Sequence, residues 1–218
     1  MTSIFVTGTD TGVGKTFISV ALIKLLQQQG LKVAGMKPIA SGCEPTVEGL
    51  RNDDALRLSQ QSNVDLPYDL INPYAFEPAI APHIAAEQAD IEIDLNIIQQ
   101  NYQKIQQQVD AVVVEGAGGW LVPLNKSQTM ADLAIQLELP IILVVGIRLG
   151  CINHALLTVK AIESTGLSLQ GWIANHPEPS EQGAEIVKTL KQSIKAPCLG
   201  NVPALNAKER AINYLEVV

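Results

Sequence analysis

Short, nearly continuous apolar runs alternate along the chain with longer stretches in which apolar residues recur at helical spacing. Continuous runs are typical of strands covered on both faces, as in parallel sheets. The second pattern is that of a helix with one apolar face. The runs predict six strands, at Ile4–Thr7, Lys32–Met36, Ala111–Glu115, Ile141–Val145, Gly171–Asn175 and Cys198–Val202.

The stretches between these runs predict the helices, at Lys15–Gln29, Asp53–Gln61, Leu95–Gln108, Met130–Leu137, Ile152–Ser164 and Glu181–Ser193. This alternation predicts an α/β fold, a doubly wound and mostly parallel sheet with helices on both faces. No linker signal divides the chain, so residues 1–218 are expected to form one domain. Such sheets bind ligands beyond the carboxyl ends of their strands, so the residues after each strand are the candidates for function.

The first predicted strand leads directly into a glycine-rich segment, Gly8–Thr16, which ends in Gly-Lys-Thr. Its glycines let backbone N–H groups approach phosphate oxygens, Lys15 adds a positive charge, and the Thr16 hydroxyl can ligate Mg²⁺. A strict phosphate-loop motif has glycine where Thr9 stands; here Gly8 lies one residue further out. An ordinary glycine-rich turn would not need Lys15 and Thr16, so the segment predicts binding of a nucleoside triphosphate.

Two further strand ends carry charged residues. Lys37 follows the second strand; it is either a surface lysine or, beside a phosphate loop, a group that holds a transferring phosphoryl group or an anionic substrate, which we favour. Glu115 ends the third strand, in the arrangement that places an acid near a nucleotide-bound magnesium. Asp54 stands where a helix begins, so helix capping and metal binding both remain open.

The fourth strand is followed by Gly150, directly before another predicted helix. The first N–H groups of that helix form a second candidate anion site. Cys151 is interpreted as a small packing residue, since the sequence does not identify a histidine that could act as a base for its thiol. His154 is interpreted as structural for the same reason.

The composition of the chain limits which binding partners and which cellular compartment are expected. A net charge of −7 argues against nucleic acid as the main partner, although a local phosphate site remains compatible with it. No apolar run approaches the length of a membrane span, and no signal peptide is expected, because the first strand begins close to Met1. The three cysteines lack metal-ligand spacing, which favours a reducing, cytoplasmic location.

The order and spacing of these segments resemble the dethiobiotin synthetases. The matching segments are Gly8–Thr16, Lys37–Gly42, Glu115–Gly119, Gly150–His154, Gly171–Asn175 and Gly200–Pro203. The resemblance implies a homodimeric, ATP- and Mg²⁺-dependent ligase of biotin biosynthesis. It would carboxylate 7,8-diaminopelargonate with CO2 and close the ring, through a carbamate and a carbamic–phosphoric anhydride.

The resemblance also implies roles for individual residues. It implies that Lys15, Lys37 and Thr11 take part in phosphoryl transfer. It also implies that Thr16, Asp54 and Glu115 bind Mg²⁺. Nucleotide contacts are implied for Gly12, Val13, Gly14, Lys15, Thr16, Phe17, Asp54, Glu115, Gly116, Ala117, Gly118, Asn175, His176, Pro203, Ala204, Leu205 and Asn206. Substrate contacts are implied for Lys37, Ser41, Gly118, Leu149, Gly150, Cys151 and Asn153, with the segment from Gly150 to Asn153 gripping the distant carboxylate from the partner subunit.

Two positions depart from the family pattern. Gly12 stands where a glutamate is often found, so a role of that acid in nucleotide contacts cannot be transferred. Ala81 replaces a frequent serine before Pro82, which removes one hydroxyl near the substrate amines.

Two alternatives use the same ATPase core. A regulatory switch ATPase of the partitioning type carries a lysine early in its loop, where this chain has Asp10, and often ends in a membrane-binding helix. An amidotransferase-type synthetase requires a glutaminase domain, for which no residues remain. Both alternatives fit less well than the synthetase.

Overall fold

A computed structural model describes residues 3–205 and 210–216. Its ten strands are β1 (Ile4–Gly8), β2 (Val33–Met36), β3 (Ile39–Ser41), β4 (Glu44–Thr46), β5 (Gly49–Arg51), β6 (Tyr74–Phe76), β7 (Ala111–Glu115), β8 (Ile141–Gly146), β9 (Leu169–Asn175) and β10 (Cys198–Val202). All six predicted strands are present, and their bounds differ from the predicted ones by at most two residues.

The described α-helices are α1 (Lys15–Gln28), α2 (Asp53–Gln61), α3 (Tyr68–Ile71), α4 (Pro82–Gln88), α5 (Leu95–Gln106), α6 (Met130–Leu137), α7 (Cys151–Glu163) and α8 (Gly183–Ser193). A 3₁₀ turn follows at Ala211–Tyr214. The prediction placed the start of α8 two residues too early, because residues 181–182 form a turn before the helix. Within the described ranges, none of the helices is both long and apolar enough to cross a membrane.

Six strands form one parallel sheet in the order β10-β9-β8-β1-β7-β2. The central strand β1 pairs with β7 on one side and β8 on the other, so the segments after these three strands meet at one edge. The predicted α/β class, with a mostly parallel sheet, is confirmed.

Neighbouring residues of the central strands pack into different cores. Val6 faces a cluster that includes Ile18 and Leu22 of α1, whereas Phe5 faces a cluster that includes Ile98 of α5 and Leu133 of α6. Each such fully buried side chain stabilises the fold by roughly 1.5–3 kcal/mol. Helices therefore cover both faces of the sheet, which explains why apolar residues occupy successive positions of its central strands.

The segment from residue 39 to residue 88 contains structure that the hydrophobic pattern did not predict. β3 pairs with β6 in parallel, and β4 and β5 form a short antiparallel hairpin. The side chain of Asn72 donates hydrogen bonds to the carbonyl oxygens of Lys37, at 2.7 Å, and Tyr74, at 3.2 Å. This buried amide fixes the chain directly after β2, where Lys37 lies.

Candidate active site

A cavity of about 720 Å³ opens at the carboxyl ends of β1, β2 and β7. It is lined by the phosphate loop, the first residues of α1, one face of α2 and the segment 79–82. Among the lining residues are Thr11, Gly12, Gly14, Lys15, Thr16, Phe17, Lys37, Ser41, Asp54, Glu115, Ala117 and Gly118. Twelve positions that were singled out from the sequence therefore share one cavity.

The phosphate loop is held tightly at its base. Gly14 precedes α1 with a φ of 88°, and a Cβ there would collide with the side chain of Asn175. Asn175 in turn donates a 2.8 Å hydrogen bond to the carbonyl of Val13. No side chain among the described residues caps the start of α1, so its first N–H groups remain available for a phosphate.

Lys15 is buried within this loop. Its ammonium donates a hydrogen bond to the backbone carbonyl of Asp10 at 2.9 Å. Burial, together with the positive charge of Lys37, lowers the pKa of Lys15 to about 8. A phosphate group brought next to this ammonium would favour its charged form.

Four side chains converge next to the loop. The Lys37 ammonium lies 2.6 Å from Oε1 of Glu115 and 3.3 Å from Oδ2 of Asp54. The Thr16 hydroxyl donates to the same Glu115 oxygen at 2.9 Å. The site thus contains an ammonium that contacts two carboxylates and a hydroxyl that donates to one of them.

The charges in this group stabilise one another. Burial alone would lower the pKa of Lys37, but the carboxylates of Glu115 and Asp54 outweigh it and raise that pKa. Burial alone would raise the pKa of Asp54, but Lys37 and a hydrogen bond from Thr16 lower it. Lys37 and Asp54 therefore form an ion pair at neutral pH.

The oxygens of this group fit a magnesium ion. Mg²⁺ prefers carboxylate and hydroxyl oxygens, one or two from the protein and the rest from phosphate and water. Thr16, Asp54 and Glu115 offer such oxygens, and Oε2 of Glu115 is buried without a hydrogen-bond partner among the described residues. No cluster of three or more metal-ligating acids, histidines or cysteines occurs in the described part of the chain, but a nucleotide-bound Mg²⁺ does not require one.

The residues expected to contact adenine lie next to the cavity and do not line it. Asn175 ends β9 and is tied to the phosphate loop, and His176 follows it. The His176 backbone N–H donates to the carbonyl of Val202 at 2.9 Å. Beyond β10 come the partly exposed Pro203, Ala204 and Leu205; Asn206 lies outside the described residues.

The predicted carboxylate site at the start of α7 is separate from this cavity. Gly150 adopts a φ of 88°, and Leu149 and Asn153 are exposed. Cys151 is buried against Val145 and its neighbours, in agreement with its interpretation as a packing residue. None of these described residues lines the cavity of the same chain.

Several lining residues were missed from the sequence. Arg57 lies one helical turn after Asp54 on α2 and reaches the cavity mouth, while its guanidinium pairs with Asp53 at 2.9 Å. Helical spacing from Asp54 could have revealed it. Ala79 and Ile80 were also missed; they line the cavity beside Ala81, which the family resemblance had implied, and their position depends on the long-range β3–β6 pairing.

The chain is similar in sequence to known proteins over nearly its whole length. A family model described as an AAA domain matches residues 2–211. The ATP-dependent dethiobiotin synthetase BioD of Pseudomonas aeruginosa (strain UCBPP-PA14) is 50% identical over 207 residues, which cover 94% of this chain and 91% of the relative. BioD of Chromohalobacter salexigens is 48% identical over 217 residues, covering 95% and 92%. BioD 1 of Escherichia coli (strain K12) is 48% identical over 202 residues, covering 92% and 90%.

Solved structures with a similar fold are more distant in sequence. The MinD cell division protein of Aquifex aeolicus superposes with a TM-score of 0.58 at 17% identity, covering 94% of this chain and 83% of that one. The signal recognition particle receptor FtsY of Elizabethkingia anophelis gives 0.56 at 15% identity, covering 92% and 58%. These two similarities concern the fold alone. The identity to the curated relatives extends over nearly the whole length of each, and the chain belongs to the ATP-dependent dethiobiotin synthetases.

Proposed function

We propose that residues 1–218 act as a single synthetase domain. It would convert 7,8-diaminopelargonate, CO2 and ATP into dethiobiotin, ADP and phosphate. Family membership supports the ATP-dependent synthesis. The observation that supports the chemistry most is the convergence of Lys15, Thr16, Lys37, Asp54 and Glu115 in one cavity.

The reaction begins with a carbamate. One substrate amine adds to CO2 and loses a proton, and an oxygen of the resulting carbamate attacks the γ-phosphorus of ATP, which releases ADP. The second amine then attacks the carbonyl carbon of the carbamic–phosphoric anhydride, loses its proton and expels phosphate. Phosphoryl transfer of this kind depends on positioning and on stabilisation of negative charge.

The chain's own groups would supply that stabilisation. Lys15 and Lys37 are the two buried ammonium groups that line the cavity, and they would hold the γ-phosphoryl and carbamate oxygens. Thr11 and Gly118 both line it, and the Ser41 hydroxyl is buried there without a described partner. Ser41 would bind the substrate through this hydroxyl.

Magnesium would be held by Thr16, Asp54 and Glu115. It would neutralise part of the negative charge of the phosphate groups. Lys37 already contacts both carboxylates, so the same acids would position the lysine and the metal. The adenine would lie beyond the phosphate loop, against Asn175, His176 and the segment 203–205.

We also propose a homodimer with composite sites. The substrate carries its carboxylate several methylenes from its amines, and the start of α7 offers free N–H groups to an anion. That helix start does not line the cavity of its own chain. Leu121 and Leu157 are exposed on either side of a shallow groove near it, which is suitable for a second copy.

The free cysteines fit a cytoplasmic location, where ATP and the substrate are available.

Measurement of ADP release and product mass tests this function. ADP should form rapidly only when both diaminopelargonate and bicarbonate accompany Mg²⁺ and ATP, and mass spectrometry should detect dethiobiotin. Lys104→Ala, on the exposed face of α5, serves as a matched lysine control and should behave as the wild type. ATP hydrolysis that ignores both substrates would point instead to a switch ATPase.

A further inference from the structure

Asp10 links three parts of the molecule. Its Oδ1 accepts a hydrogen bond from the Thr11 backbone N–H at 2.7 Å, inside the phosphate loop. Its backbone carbonyl accepts the Lys15 ammonium at 2.9 Å. Its Oδ2 forms an ion pair with the guanidinium of Arg148, which is 138 residues away in the chain. One residue therefore connects the loop backbone, the buried lysine and a distant segment.

Arg148 lies in a firmly anchored segment between β8 and α7. The backbone N–H of Ile147 donates to the carbonyl of Asn175 at 2.8 Å, which ties the end of β8 to β9. Gly150, two residues after Arg148, turns the chain into α7 with a φ of 88°. The guanidinium is thus delivered to Asp10 from a part of the fold other than the phosphate loop.

The ion pair has an electrostatic consequence for an anionic ligand. Asp10 places a negative charge in the loop that is built to receive a triphosphate. Both partners are about half-exposed, so the pair contributes little to folding. Close to a highly charged ligand, however, the loss of the arginine would leave an uncompensated carboxylate that repels phosphate.

We propose that Arg148 is a positioning residue for ATP binding. It neutralises Asp10 and holds it in place, so that the Asp10 carbonyl keeps Lys15 in the phosphate loop. The proposal rests on the proposed function, since it assumes that the loop binds ATP. Under that function Arg148 also links the phosphate loop to the α7 start, which would grip the carboxylate of the substrate bound in the partner's cavity.

Titration calorimetry with Mg²⁺-ATP on the intact protein tests the charge argument. Arg148→Ala should raise the Kd for ATP about three- to tenfold, the scale expected for a lost half-exposed charge pair beside a charged ligand. Adding Asp10→Asn to that variant should restore the Kd to within about twofold of the wild type, because the uncompensated charge is gone. Arg148→Lys should retain most of the affinity. Lys160→Ala, on the exposed face of α7, is the control.

Two further readouts separate charge from a general loss of structure. The defect of Arg148→Ala should shrink as salt is raised, since exposed charges are screened. In turnover assays its KM for ATP should rise while kcat changes by less than about twofold.

An unchanged Kd for Arg148→Ala would overturn the proposal, as would an equal defect in the double variant. Failure of the wild type itself to bind ATP would instead refute the proposed function. Thermal melting of each variant confirms that it is folded before its Kd is compared.

Discussion

The Lys37 ammonium lies 2.6 Å from Oε1 of Glu115, and the Thr16 hydroxyl donates to the same oxygen at 2.9 Å. Glu115 is almost fully buried and Lys37 nearly so. In the absence of ligand, a protein cation therefore compensates the acids that would bind Mg²⁺. Removal of that cation should affect both chemistry and stability.

Replacement of Lys37 by methionine keeps most of the side-chain volume and removes the charge. Turnover should fall by about 10²–10³, the range for loss of one preorganised charge-stabilising group. The variant should also melt at a lower temperature, because two carboxylates lose their partner. Added Mg²⁺ should raise its melting temperature more than that of the wild type, since the ion can replace the lost charge.

Lys104→Ala is the control for this prediction, because its side chain is exposed and far from the cavity. Melting curves with and without Mg²⁺, together with steady-state assays, provide the measurements. Near-normal turnover of Lys37→Met would remove Lys37 from the catalytic group and leave it a structural role.

The lowered pKa of Lys15 predicts a pH dependence of ATP binding. With a pKa of about 8 in the free protein, the ammonium loses its proton as the pH rises through that value. Phosphate favours the charged form, so affinity should be highest below pH 8 and should fall above it, by up to about tenfold per pH unit. Binding near pH 8 should take up part of a proton.

Calorimetry in buffers of different ionisation enthalpy, without metal, measures this proton uptake. Lys15→Met should bind ATP more weakly below pH 8 and should lack the added slope above it. Lys37 provides the contrast, because its raised pKa keeps it charged throughout this range. Equal slopes in the wild type and Lys15→Met would assign the pH dependence to another group.

Much of this site was predictable because its signals are local. Glycines and Lys15-Thr16 define a loop between a strand and a helix, and a carboxylate at the end of β7 must lie at the same edge of the sheet. Arg57 could have been predicted from its helical spacing to Asp54. The Asp10–Arg148 pair could not have been predicted, because it depends on how the segment after β8 approaches β1. Ala79 and Ile80 were missed for a similar reason, since their position depends on long-range pairing of three-residue strands.

Gly12 allows a test of nucleotide selectivity. It lies at the cavity with a φ of 75°, and a Cβ there would meet nothing within 4 Å. Gly12→Glu supplies the carboxylate that the family resemblance leads us to expect, so the variant should discriminate more strongly among ATP, CTP and GTP than the wild type. The left-handed backbone should cost it about 1–2 kcal/mol of stability.

Gly30→Glu is the matched control for this change. Gly30 follows α1 with a φ of 84° and also has open space around its Cβ position, but it lies away from the cavity. Both variants should lose similar stability, and only Gly12→Glu should change the kcat/KM ratios among the nucleotides. Identical ratios in the wild type and Gly12→Glu would refute a role for this position in selectivity.

The composite site predicts a selective defect at the start of α7. Asn153 is exposed and lies in the first turn of α7, the region that would hold the substrate carboxylate. Asn153→Ala should raise the KM for diaminopelargonate by about ten- to a hundredfold, because a polar contact to an anion contributes roughly 1.5–3 kcal/mol. The Kd for ATP should stay unchanged, since Asn153 does not line the cavity of its own chain.

Mixed dimers then decide which subunit supplies this contact. In a dimer of one Lys37→Met chain and one Asn153→Ala chain, composite sites leave one site with neither defect. Random exchange makes half of the dimers mixed, so about a quarter of wild-type activity should return. A mixture of Lys37→Met with Lys15→Met is the control, because both defects lie in the cavity and no mixed dimer regains an intact site.

Subunit exchange must be shown first, by mass spectrometry of differently tagged chains. If mixed dimers form and activity stays at the level of the parent variants, the carboxylate is held within one chain and the composite site is refuted.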